Sequence, residues 1–422
     1  MPTPRRTRLR PAPGHSFCSR PGHPFGHGPG LLFRPGLAYP IRCLLLLGAL
    51  ASLPVLLPSG CGRSKPATVR IGLEGPMTGD YAYEGQGFER AVRLLVDQVN
   101  ASGGILGRHV ELFVEDDRGD VKEASLVADR MASRGVSVVI GSYNSTATEA
   151  AAAVYDRAGI LQITPSSTAT RLTAKGYQRF FRMCFTDDRQ GLFGAEFISK
   201  VLESRRVAIL HDNSTYAQGL AEWGKKFLLE RGCEIVFFDA INPADKDFTP
   251  SLTKLKAVNA ETVYFTGYHA QAGLLLRQAP EVGLKVQWVM GDACNNPELV
   301  RIAGVDCAQG AIFTTEPLPI DLDYPEAKAF TADYKAHYGA DATSVWWVMA
   351  ADAFRVIRAA MEATKSTDSG VLAAYLHTGL KDLPGITGPI LGYDEKGDRL
   401  GTIHRAYVIT PKGTIVPYPK QP

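Results

Sequence analysis

This 422-residue chain predicts an α/β protein of two lobes, each a parallel sheet flanked by helices. Short apolar strands alternate with amphipathic helices from Thr68 onward, and the alternation restarts near Arg206 with a unit of similar size. In the first unit, two successive strands end in hydroxyl-rich turns, at the carboxyl ends of the strands where α/β proteins place their ligands. A hydrophobic fraction of 45% and a charged fraction of 21% are those of an ordinary globular chain, long enough for two or more domains.

The elements follow in order. VRIGLEG, 69–75, is the first strand; a helix runs from Gln86 to Asn100 and stops at the glycines of SGGILG. VELFVEDD over 110–117 is the second strand, followed by a helix over Val121–Ser133 and the strand VSVVIG. After Gly159 comes ILQITP, with a further helix expected to begin near Thr168. This βαβαβαβ run makes a parallel sheet covered on both faces. In the second unit, RVAILHDNSTYAQGLAEWGKKFLLERG reads as strand, loop and helix, and CEIVFFDAI as a strand. A helix over Ser251–Val258, the strand AETVYFTGY, a helix from Gln271 to Val282 and the strand VQWVMGD complete it. Helices over Glu326–Tyr338 and Ser344–Ala363 and short terminal strands end the chain. The expected domains are a first lobe of 67–186 plus 317–390 and a second of 187–316 plus 391–422. Several crossings between them form a hinge around an inter-lobe cleft.

The hydroxyl turns, Asn144–Thr146 and Pro165–Thr168, interrupt VVIGSYNSTATEAAAAVYDRAGILQITPSSTATRLT. Helix N-termini offer free N–H groups and a positive dipole end, to which serine and threonine hydroxyls add donors. Two such turns suit one small anion, a carboxylate. They also suit plain helix caps, since Thr146 and Glu149 have capping-box spacing.

The net charge of +3 misleads. Residues 1–60 hold seven of the 46 basic residues and no acid, so 39 basic face 43 acidic residues beyond them, about −4. No basic patch is left for nucleic acid. Arg34 and Arg42 precede the apolar run Cys43–Leu57 and then Pro58-Ser59-Gly60-Cys61, which predicts an export leader over 1–60 with Cys61 as a lipidated mature N-terminus. The run is short for a membrane span. Of the later cysteines, Cys184, Cys233, Cys294 and Cys307, the last two close a short loop and are the pair expected to form a disulfide. No CxxC suggests zinc, so no metal is expected.

Enzyme signatures are weak. His211, Asp212 and Ser214 are too close in sequence to converge and lack a GxSxG elbow; Gly85-x-Gly87 lacks the third glycine of a dinucleotide fingerprint. Asp116-Asp117 has no further oxygen ligands at EF-hand spacing. Neither catalysis nor a cofactor is expected.

Over nearly all of 67–410 the sequence resembles the leucine/isoleucine/valine-binding proteins, extracellular receptors of branched-chain amino acid ABC transporters. IGLEGPMTGDYAYEGQ, VNASGGILGRHVEL, YDRAGILQITPSSTATRLT, AILHDNSTYAQGLA, CEIVFFDAINPADKDFTP, VYFTGYHAQAGLLLRQAPEVGLK and GPILGYDEKGD carry the likeness. The resemblance implies a two-lobed type I periplasmic-binding fold. It implies an amino acid whose carboxylate meets Ser145, the backbone of Ser166, Ser167 and Thr168, and whose ammonium meets Asp292 and Tyr268, with Tyr216 lining the second lobe. A permease partner and a monomeric receptor follow from it; with the lipidated Cys61 of the leader, the expected place is the periplasm or cell envelope, anchored to a bacterial membrane. Departures bear on the side-chain end of the site: Glu84 stands where the family places an aromatic, Ser344 occupies a second aromatic position, and Tyr143 replaces a smaller wall. The family's disulfide is missing, with Gly119 and Asn144 at its positions. A buried, unpaired Glu84 would be costly, so it is expected to face water or a polar ligand group. The ligand expected is therefore an α-amino acid that is polar or small. The alternatives on the same fold are a receptor for an amide, urea or aromatic acid, or a sensory ligand-binding protein.

Overall fold

The computed structural model describes residues 68–422; the expected leader and Cys61 lie outside the described residues. The first lobe begins with β1 (Val69–Gly75), α1 (Ala82–Ala101), β2 (Val110–Asp116), α2 (Val121–Ser133), β3 (Val138–Ile140), α3 (Ser145–Ala158), β4 (Leu161–Thr164) and β5 (Phe180–Arg182). Their sheet is parallel throughout in the order β2-β1-β3-β4-β5, with Leu73 level with Ile140 and Ile140 with Ile163. The chain then supplies α4 (Asp187–Glu196), β6 (Arg206–His211), α5 (Thr215–Glu230), β7 (Glu234–Ala240), α6 (Thr249–Ala257), β8 (Thr262–Thr266), α7 (His269–Gln278), β9 (Gln287–Met290), α8 (Pro297–Ala303), α9 (Val305–Ala308) and β10 (Ile312–Thr315). Next come α10 (Pro325–Tyr338), α11 (Val345–Thr364) and α12 (Ser369–Thr378), then β11 (Arg405–Ile409) and β12 (Ile415–Pro417). The second sheet runs β12-β11-β10-β9-β8-β6-β7, with β11 antiparallel to both β10 and β12 and the other pairs parallel.

Both sheets reverse strand order beside their first strand, between β1 and β3 and between β6 and β8. Such switch points open a crevice at the carboxyl ends of the strands. Alternating strand faces and helix stripes fill a core around β1, β3, α1 and α11 and another around β8, β9 and α7. Helix α11 is apolar on nearly every side and is correspondingly buried, packed on α1 and β3.

The chain passes between the lobes after Arg182, after Thr315 and again before Arg405. The last passage falls later than residue 391. Tyr393 Oη donates to Met183, Gly397 O accepts from Arg182 N at 3.1 Å, and buried Arg182 meets Asp398 at 2.5 Å, so 393–399 stay on the first lobe.

Three local expectations are corrected. Helix α1 starts at Ala82 rather than Gln86 because Asp116 anchors the preceding turn, accepting from Met77 N at 2.9 Å and Thr78 Oγ1 at 2.5 Å; Glu84 thereby joins its first turn. No helix begins near Thr168. Arg182 donates to the carbonyls of Ser167 (2.7 Å) and Ala169 (3.1 Å), removing acceptors that a helix would use, and the segment runs as a loop to a single 3₁₀ turn at Thr173–Lys175. The Cys294–Cys307 disulfide is not formed: all four described cysteines are free. Cys294 is buried with its thiol donating to Gly267 O at 3.1 Å, whereas Cys307 sits half-buried on α9, beyond the intervening α8.

Candidate functional site

A small enclosed space at the meeting of the two switch points is lined by Tyr143, Ser145, Ser166 and Trp346 from the first lobe and Tyr216, Tyr268, Asp292 and Ala293 from the second. Its cavity volume is about 10 Å³.

Ser145 opens α3, where the helix presents free N–H groups. The strand-to-helix turn reaches this point because Gly141, at φ +143°, passes against β1; a Cβ there would lie 2.3 Å from Glu74 O. The Ser145 hydroxyl accepts from Ala169 N at 3.3 Å, stitching the first hydroxyl turn to the second. Ser166 Oγ donates to Tyr143 O at 3.0 Å, so its one proton is committed within the turn.

The expected capping box at Thr146 and Glu149 does not form. Asn144 is the N-cap residue, Glu149 pairs with Arg171 and Lys175, and Thr146 Oγ1 accepts from Thr215 N of the other lobe at 3.1 Å.

On the second lobe, Tyr216 lies in the first turn of α5, Tyr268 is the N-cap residue of α7, and Asp292 follows β9. Gly291 allows the close approach: a Cβ there would meet the Tyr216 hydroxyl at 2.2 Å. Asp292 is 2% exposed, and neither its Oδ2 nor the Tyr216 hydroxyl has a hydrogen-bond partner. Burial pushes the Asp292 carboxyl well above the usual carboxylate range, and the nearby Tyr216 hydroxyl pulls it back in part. A buried acceptor of this kind is costly unless a donor reaches it, and an ammonium is the strongest such donor. The Tyr268 ring stands 5.4 Å from that of Tyr216, 6.2 Å from Tyr143 and 4.8 Å from Tyr81, so aromatic faces wall the same space.

Six of the expected ligand residues thus converge: Tyr143, Ser145, Ser166, Tyr216, Tyr268 and Asp292. Ser167, Thr168 and Glu84 do not line the space. Ser167 is a staple, its hydroxyl shared with Thr148 Oγ1 (2.7 Å) and Tyr143 O (3.1 Å). Thr168 lies behind Ser166 beside Asp187, whose N–H donates to Thr168 O at 3.0 Å. Glu84 neither faces water nor lines the space; it is 1% exposed and bonded to protein groups, Asn296 at 3.2 Å and Ser344 at 2.7 Å.

Sequence reasoning missed Trp346, which lines the space, and Tyr81 and Asp187, which lie behind its lining residues. Asp187 is fully buried with both carboxylate oxygens unpartnered, and burial together with the Asp292 charge pushes it well up. Its helix, α4, was not foreseen, although Thr186 as N-cap with Asp187 and Asp188 in the first turn is a helix-start signal. The His211, Asp212 and Ser214 cluster resolves into turn chemistry: His211 Nδ1 accepts from Asn213 N, Asp212 from Ser214 N, and Ser214 Oγ from Ala217 N as the cap of α5.

A family model described as periplasmic binding protein matches residues 68–413. The leucine-, isoleucine-, valine-, threonine- and alanine-binding protein of Pseudomonas aeruginosa is 35% identical over 331 residues, 78% of this chain and 87% of that protein. The Leu/Ile/Val-binding protein of Escherichia coli K12 is 35% identical over 79% of this chain and 88% of its own length. Among solved structures, a leucine-binding protein from Thermotoga maritima superposes with a TM-score of 0.78 at 28% identity, covering 83% of this chain and 98% of that one. A branched-chain amino acid transporter substrate-binding protein from Streptococcus pneumoniae, in complex with isoleucine, gives 0.75 at 29% identity over 84% and 100%. The two lobes with paired switch points are the type I periplasmic-binding fold, and the chain belongs to the periplasmic binding protein family.

Proposed function

We propose that this protein is the extracytoplasmic receptor of an ABC transporter and closes its lobes over an α-amino acid with a short side chain. The observation that carries this reading is charge complementarity across the cleft. The start of α3 and the Ser145 hydroxyl, which accepts from Ala169 N and keeps its proton to donate, stand on one lobe, and the unpartnered Oδ2 of Asp292 on the other. A zwitterion answers both halves. Tyr143 and Trp346, both buried, wall the remaining space closely, which favours a short side chain over a longer one such as that of leucine. The Pseudomonas relative, named for threonine and alanine as well as the branched residues, is consistent with that choice. An aromatic acid lacks the ammonium and would leave Asp292 unanswered in a buried site.

The leader and Cys61 support an exported, lipid-anchored receptor, which would hand its ligand to a permease at the membrane. Its role is binding rather than catalysis, and it requires no cofactor. Isothermal titration with L-alanine, L-threonine, L-leucine and benzoate tests the reading: tightest binding of alanine or threonine supports it, and binding of benzoate alone contradicts it.

A further inference from the structure

Glu84, in the first turn of α1, has its carboxylate divided between the two lobes. Its Oε2 accepts from Ser344 Oγ at 2.7 Å, and Ser344 caps α11 of the first lobe by accepting from Trp346 N at 3.2 Å. Its Oε1 accepts from Asn296 Nδ2 at 3.2 Å, and Asn296 caps α8 of the second lobe by accepting from Glu298 N at 2.9 Å. One buried side chain therefore joins a helix cap on each side of the cleft, next to the Trp346 wall of the ligand space.

We propose that Glu84 is a positioning residue, a clasp that holds Asn296 of the second lobe against the first and so keeps the cleft shut behind the ligand without touching it. The inference rests on the amino acid reading above. Of the bonds Glu84 makes, the one to Asn296 crosses between lobes, so it forms on closure and is lost on opening. Such a contact stabilises the closed state selectively and slows ligand escape. It also takes Glu84 and Ser344 out of side-chain recognition, since each is occupied by the other.

The surroundings make the clasp sensitive to charge. Asn296, Ser344 and the Trp347 indole supply hydrogen-bond donors to it, and its ionisable neighbours are Tyr83 and Tyr143, whose hydroxyls are pushed up. Along the flanking helices the nearest charges are Arg90, stacked over Trp347, and Glu298, paired with Arg301. Burial raises Glu84 itself to about 7, with those donors pulling it back. A groove of about 1190 Å³, whose lining includes Tyr83, Asn295 and Ser344, brings solvent up to the outer side of the clasp.

The test is L-alanine titration of the wild type, Asn296→Asp, Glu84→Gln and the double variant at about pH 8 and about pH 5.5. Aspartate caps helices as well as asparagine does, so N296D leaves α8 intact while setting a second carboxylate against Glu84. N296D is expected to lose about tenfold or more in affinity at the higher pH and to return to within about threefold of wild type at the lower, where the two carboxylates share a proton. Adding E84Q to N296D is expected to restore binding at both. A wild-type pH profile for N296D, or a double variant no better than N296D, overturns the clasp. If the wild type takes up no amino acid, the amino acid reading fails on its own account. The clasp is then decided by small-angle scattering: N296D more open at pH 8 than at pH 5.5 supports it, and equal dimensions overturn it.

Discussion

The backbone N–H of Thr215 donates to Thr146 Oγ1 at 3.1 Å across the mouth of the cleft. Thr146 lies in the first turn of α3 and Thr215 opens α5, so the bond joins the helix starts of the two lobes. Arg171 reinforces it, donating to Thr215 Oγ1 at 2.7 Å while paired with Glu149. These contacts exist only when the lobes meet, and they contribute to ligand affinity through the open–closed equilibrium. Thr146→Val keeps the shape and deletes the acceptor. It is expected to weaken amino acid binding by about three- to tenfold, the range of one ordinary hydrogen bond, with little change in the ligand-free Tm. Titration calorimetry alongside a melt of the free protein checks this.

Asp292 is the only carboxylate among the residues lining the ligand space. Asp292→Ala is expected to lower amino acid affinity by tenfold or more, because it strips the ammonium of its countercharge in a desolvated site. Unchanged affinity would remove Asp292 from the site.

Tyr143 sets the size limit. Its ring is buried against Phe88, with centroids 6.1 Å apart, and lines the space directly. Tyr143→Val opens room at that wall and is expected to shift preference toward leucine over alanine by about tenfold, the discrimination one or two methylenes provide. Competition titration reads the ratio, and an unchanged ratio would place the side chain elsewhere.

A pH effect arises beneath the site. Glu74 is fully buried on β1, with one oxygen accepting from Tyr155 Oη at 2.6 Å and the other unpartnered. Burial, aided by the Asp117 charge, raises it from 4.5 to about 8. The folded state therefore holds this proton more tightly than the unfolded chain. Its contribution to stability is whole below pH 4.5 and declines as pH rises to about 8, beyond which the buried charge is carried in full. Glu74→Gln removes that decline, so the variant is expected to match the wild type near pH 4.5 and to melt about 4 °C or more higher near pH 9. Parallel melting curves across pH would show the opposite, that Glu74 titrates normally.

The strand and helix alternation was legible because period and punctuation are local, and the strong strands VRIGLEG, VVI and TVYFT reappear as β1, β3 and β8. Elements set by distant partners were not. Residues 168–172 have helical composition, yet buried Arg182 takes their neighbours' carbonyls. The three-residue β5 is fixed by its pairing with β4, including Ile163 with Phe181, and by Arg182's contacts with residues 397–398, none visible in its own sequence. At the site, Ser145 and Ser166 were legible from hydroxyl turns, whereas Asp292 and Tyr268 were reached through the family resemblance. Glu84 was flagged as anomalous, but its partners Asn296 and Ser344 lie 212 and 260 positions away. Only the folded chain shows that the anomaly is answered within the protein.

The measurement that bears most directly on the central claim is a thermal-shift screen of the purified protein against the standard amino acids, γ-aminobutyrate, urea, short amides and benzoate. Ligand at about 1,000 times Kd stabilises by roughly 4 kcal/mol, a shift of several degrees. A zwitterion site walled by Tyr143 and Trp346 predicts shifts confined to α-amino acids and largest for short side chains. Shifts given only by benzoate, amides or compounds lacking an α-amine would contradict it.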